Sequence, residues 1–66
     1  MADYAPELKR FLRQHGCTFL RQGKGDHELW RSPITSTVFP VDHKILSRHT
    51  ANGVLKQAGL ADRKHF

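Results

Sequence analysis

The chain of 66 residues carries eleven Lys and Arg against six Asp and Glu, a formal net charge of +5, with 38% hydrophobic and 26% charged residues. A chain this short buries only about 60% of the surface that its unfolded form exposes. That leaves room for one small domain, residues 1–66, and excludes a two-domain enzyme or a deep cofactor cleft. The composition is that of a globular domain rather than a disordered tail. So concentrated a positive field attracts polyanions, which makes nucleic acid the leading partner class and an acidic protein the second.

Cys17 is the one cysteine, so no internal disulfide can form, and a reducing cytoplasm is the expected location. No apolar run approaches the ~18 residues of a membrane span, and Met1 to Pro6 has neither the basic start nor the apolar stretch of a signal peptide. No membrane association is expected.

Along Asp3 to His15, Tyr4, Leu8, Phe11 and Leu12 recur at helical spacing, predicting an amphipathic helix with Pro6 and Glu7 in its first turn. Gly16 reads as its left-handed stop, with Cys17 placed to close a Schellman motif onto Leu12. Cys17 to Arg21 is a short β-prone run ended by the breaker group Gln22-Gly23-Lys24-Gly25. Asp26 to Ser32 reads as a second strand, Pro33 to Ser36 as a turn, and Thr37 to Val41 as a third strand, on an open edge because Pro40 cannot donate to a ladder. Short connections make the three an antiparallel meander. Ser47 offers an N-cap to a helix that buries Ala51, Val54, Leu55 and Ala58, with Gly59 ending it and Leu60 folding back onto Leu55. Gly53 inside that helix points to a close backbone approach, and Ala61 to Phe66 reads as a frayed tail. The order predicts an α+β fold with both helices on one face of the sheet and the other face free.

The Gln22 to Trp30 segment holds most of the chemistry. Gly23 and Gly25 allow a tight turn whose amides can approach a phosphate, Lys24 adds charge, and His27 follows at a strand start with a side chain able to transfer protons near neutral pH. By residue type alone, a plain hairpin connection is the commoner use of such a turn. Trp30 suits the core or a protein contact better than base stacking, although alternation leaves open whether the Glu28-Trp30-Ser32 side or the His27-Leu29-Arg31 side faces inward. His43 and His49 lie six apart, which fits neither a helical pair nor a zinc-finger gap, so no metal or other cofactor is expected. Arg31, and Lys44, Arg48 and His49 near a helix start, are candidates for phosphate contacts. No helix lies immediately before the second helix, which argues against helix-turn-helix reading of DNA.

Several segments, Leu8-Lys9-Arg10-Phe11-Leu12 with His15-Gly16, Gly23 to Trp30, Val38-Phe39-Pro40-Val41 and Leu55-Lys56-Gln57-Ala58-Gly59-Leu60, together resemble the HicA (YcfA-like) toxin family of bacterial toxin-antitoxin systems, in family order over nearly the whole chain. The resemblance implies a double-stranded-RNA-binding-domain-like fold, helix-strand-strand-strand-helix. It also implies a stress-response mRNA interferase, an endoribonuclease dependent on His27 without a required metal, and a HicB-like antitoxin that covers that histidine, with DNA reached only indirectly through the antitoxin. Lys24, Gly23 and Gly25 are then the nearest RNA contacts, with Arg31 and Arg48 more distant. Asp26 stands where the family commonly has Ser or Gly, placed either to orient His27 or to weaken phosphate approach. The alternative function is a non-catalytic RNA-binding module of the same fold.

Overall fold

A computed structural model describes residues 3–66; Met1 and Ala2, which open the segment read for a signal peptide, lie outside the described residues. The elements are α1 (Ala5–Gln14), β1 (Thr18–Gln22), β2 (His27–Ser32), β3 (Thr37–Asp42) and α2 (Arg48–Gln57). The α+β order predicted from the sequence is the order observed. No helix among the described residues is long and apolar enough to cross a membrane.

Both helix ends follow the sequence signals. The Cys17 N–H donates to the Leu12 carbonyl at 2.9 Å and the Gly16 N–H to that of Arg13 at 3.1 Å. Leu60 donates to Leu55 at 2.8 Å and Gly59 to Lys56 at 3.2 Å, so each helix closes in a Schellman motif. Ser47 caps α2 by accepting the His49 N–H at 3.2 Å. The start of α1 differs from the expectation: the helix begins at Ala5, because the Asp3 carboxylate lies outside it and accepts the N–H groups of Ile45 and Ala5, each at 3.0 Å. These two donors hold the Asp3 carboxyl below its usual range and tie the first helix to the β3–α2 connection.

The sheet is antiparallel in the order β1-β2-β3. Trp30 and Ser32 of β2 and Phe39 and Val41 of β3 are fully buried beneath Leu8 and Leu12 of α1 and Ala51, Val54 and Leu55 of α2. Both helices therefore cover one face, and the ambiguity over β2 resolves with Trp30 inward. Its burial is tolerated because the indole N–H donates to the Glu28 carboxylate at 2.9 Å. Ser32 gives its hydroxyl to the Ala58 carbonyl at 2.7 Å, fastening β2 to the last turn of α2. Cys17 is buried in the same core, where desolvation pushes its thiol up against the opposing effect of the Ser32 hydrogen bond, and a thiol so placed is unreactive.

Two local expectations are corrected. Residues 61–66 are not frayed. The Phe66 N–H donates to the Asn52 side chain at 2.7 Å, the Phe66 ring meets Tyr4 edge-on at 5.5 Å, and Lys64 pairs with Glu7 at 2.9 Å. Nor does Gly53 mark a close approach, since a Cβ there would meet open space. β3 lies at the sheet edge as expected. The His43 N–H points to the Asp26 carbonyl on the β2 side, at 3.0 Å. By alternation, the main-chain groups of Val38, Pro40 and Asp42 point to the open edge.

Candidate active site

The uncovered face of the sheet presents His27, Leu29 and Arg31 from β2 and Val38, Pro40 and Asp42 from β3. His27 stands directly opposite Asp42. Because His43 exchanges the neighbouring ladder bond with Asp26, the His27–Asp42 pair is of the non-hydrogen-bonded kind, in which opposed side chains approach most closely. The Asp42 carboxylate accordingly pairs with Nδ1 of His27. Both remain accessible, with side chains 52% and 40% exposed. A carboxylate on Nδ1 fixes the ring orientation and directs Nε2 outward, the arrangement by which an imidazole can deliver or accept a proton. The carboxylate on Nδ1 is thus that of Asp42, and the Asp26 main-chain carbonyl accepts the His43 N–H.

The turn before His27 is fastened from both sides. Gly23 donates its N–H to the His27 carbonyl at 2.8 Å, and the Gln22 amide donates to the same carbonyl at 3.0 Å and to that of Gly25 at 3.2 Å. A Cβ at Gly23 would press on the His27 carbonyl at 3.1 Å and on Leu29 at 3.3 Å, while Gly25 takes the left-handed conformation that the turn needs, φ 66°. Of the two glycine amides proposed for phosphate, that of Gly23 is already engaged. Gly25 and the exposed Lys24 remain open beside His27.

On the core side of this strand end, Glu28 gathers two donors and a histidine ring. Lys9 lies 3.0 Å from its carboxylate, the Trp30 indole donates at 2.9 Å, and His43 Nε2 stands 3.5 Å away, also facing the Gln22 side-chain oxygen at 3.3 Å. Burial pushes the Glu28 carboxyl up, but Trp30 and Lys9, with His43 alongside, outweigh it and hold the group below the usual carboxylate range. Gln22 therefore links this cluster to the main chain of His27.

Arg31 shares the face of His27, four residues further along β2. Arg48 does not join them: it opens α2 and lines a separate hollow with His49, Asn52, His65 and Phe66. Among the described residues no three His, Cys, Asp or Glu side chains gather as a metal-ligand set. Sequence reasoning missed Asp42, Gln22, Glu28 and His43, which strand pairing brings to the His27 end of the sheet from positions up to sixteen residues from it.

A family model described as the HicA toxin of bacterial toxin-antitoxin systems matches residues 5–60. The chain belongs to the HicA toxin family. The match takes in all five elements, from the start of α1 to the Schellman closure of α2 at Leu60. No curated protein and no solved structure matches the chain. Within this HicA domain, the uncovered sheet face with the Gly-Lys-Gly turn at its end is the candidate active site.

Proposed function

We propose that this HicA-family chain is an endoribonuclease that cleaves mRNA, acting from the cytoplasm and neutralised by a HicB-like antitoxin. An RNA strand carries its own nucleophile, the 2′-hydroxyl. Cleavage needs a base to take that proton, an acid for the leaving 5′ oxygen, and positive charge at the phosphate. His27, with Nδ1 on Asp42, offers Nε2 for proton transfer, a role worth roughly 10² to 10⁴-fold. Lys24 and the Gly25 amide stand nearest for the phosphate, with Arg31 further along the same face. The observation that carries this reading is the accessible His27–Asp42 pair on an uncovered face of a toxin-family fold. An antitoxin with an acidic surface would cover that face and close access to His27.

Incubating the purified chain with an mRNA fragment in EDTA tests the assignment. Cleavage is expected to leave 2′,3′-cyclic phosphate ends, to stop when the sugar at the cut carries no 2′-hydroxyl, and to disappear in His27→Ala while RNA binding persists. Unchanged cleavage by His27→Ala, or efficient cutting of the deoxy substrate, would overturn it. An intact RNA that is still bound in a salt-dependent way would favour the non-catalytic RNA-binding reading.

A further inference from the structure

We propose that the uncovered sheet face is a track for one unpaired RNA strand, with the reacting phosphate at His27 and flanking phosphates on Arg21 and Arg31; this rests on the ribonuclease reading above. The register of β1 carries the inference. Phe19 pairs with Trp30 on the core side, so regular alternation would set Leu20 opposite Leu29 and turn Arg21 toward Glu28. Instead the register shifts between Phe19 and Arg21, and Arg21 is the residue opposite Leu29. A bulge adds one residue to a strand and re-aims the side chain that follows. Here it delivers Arg21 to the His27 face.

The face then reads in three cross-strand rows: His27 with Asp42, then Arg21, Leu29 and Pro40, then Thr18, Arg31 and Val38. From His27 to Arg31 the strand covers about 13 Å, and Arg31 ends in a hollow shared with Thr18, Pro33 and Ser36. Three cations on the helical side are occupied, Lys9 by Glu28, Lys64 by Glu7, and Arg13 by the Trp30 ring at 5.1 Å. Among the described residues, neither Arg21 nor Arg31 has a carboxylate or ring partner, and the strand carboxylate on their face, Asp42, is paired with His27.

The strand must be unpaired for two reasons. Attack by a 2′-hydroxyl requires the nucleophile and leaving oxygen in line, and a base-paired A-form backbone holds its sugars away from that geometry. Recognition of a duplex also spans successive minor grooves with contacts spread over about 16 base pairs, far beyond a row of this length. Phe19, Trp30 and Phe39 all lie on the core side, so the face offers no aromatic stacking platform. Binding therefore comes from phosphate contacts and is tolerant of sequence.

The test measures binding of a short, unstructured, fluorescent RNA in a His27→Ala background over a range of salt. Arg21→Ser combined with Arg31→Ser should weaken binding by at least about tenfold and reduce the slope of log affinity against log salt by about 1.4, at about 0.7 per single-strand phosphate contact. Arg10→Ser with Lys56→Ser makes the same charge change on the helices and should leave the slope in place. The complementary duplex should compete poorly. An unchanged slope in the Arg21/Arg31 variant, once its thermal melt matches the parent, would overturn the track. So would equal competition by duplex, or loss of antitoxin binding with RNA binding intact. Cleavage by the His27 chain is scored separately, so failure of the ribonuclease reading is distinguishable from failure of the track.

Discussion

The Asp42 carboxylate meets Nδ1 of His27 across the β2–β3 ladder, and among the described residues Nε2 of that half-exposed ring has no partner. The pair is held by strand register rather than by a loop, so its geometry is as stiff as the sheet.

Asp42→Asn should preserve the fold, since the side chain is partly exposed. It removes the carboxylate that selects the orientation of His27. Single-turnover cleavage at saturating RNA is expected to fall about 10- to 100-fold with affinity unchanged. Parental rates would show that Asp42 does not position the histidine.

Two glycines of the C-terminal helical region should respond with opposite signs. Gly59 adopts φ 79°, and a Cβ there would stand 2.7 Å from Thr35 Cγ2 and 3.0 Å from Ile34 Cγ2. Gly59→Ala is therefore expected to cost about 2 kcal/mol or more, from the left-handed backbone and the clash together. Gly53 is helical with open space around its missing Cβ, so Gly53→Ala should stabilise by about 0.5–1 kcal/mol. Urea titrations of the two variants read both effects.

Glu28 and Asp3 set the acid limit of stability. Both carboxyls are lowered in the folded chain, Glu28 by Trp30 and Lys9 against the upward push of burial, Asp3 by the N–H groups of Ile45 and Ala5. A depressed carboxyl contributes stability above its unfolded pKa and loses it as pH falls through the folded value. Stability should thus decline below about pH 4. In Glu28→Gln, thermal melts from pH 6 to pH 2.5 should show a shallower decline; an identical acid limb would refute the assignment.

Asn52 anchors the C-terminal segment by accepting the Phe66 N–H and donating its amide to the Phe66 main-chain oxygen at 3.4 Å. Asn52→Ala should cost about 1 kcal/mol, release protection of the Phe66 amide in hydrogen exchange, and leave cleavage unaltered because the segment lies on the helical side. Retained protection would show that Tyr4 and Glu7 suffice to hold it.

Features set by neighbours in sequence were legible before the structure. Both Schellman closures, the Ser47 cap and the order of elements depend on residues within a few positions of one another, and each appears as read. Features set by pairing were not. Asp42 lies fifteen residues from His27, and nothing in either segment states the register that opposes them. Arg21 was hidden further, because alternation assigns it to the buried face until the bulge at Leu20 is known. The closing segment is not legible because its polar composition matches a solvated tail, while its anchors are Asn52 of α2, Glu7 of α1 and Tyr4 just before α1.

A three-stranded sheet has two rims, and each is spoiled as a template for further strands. On β3 the outward main-chain positions are Val38, Pro40 and Asp42, so the middle one has no hydrogen to give. On β1 the register slips between Phe19 and Arg21, breaking the regular spacing that a neighbouring molecule would need. Phe19 and Leu20, about half exposed on that rim, would otherwise be an adhesive stretch. The interrupted rims deprive fibrillar polymerisation of a continuous ladder to extend, so this small domain can keep one broad face of its sheet uncovered.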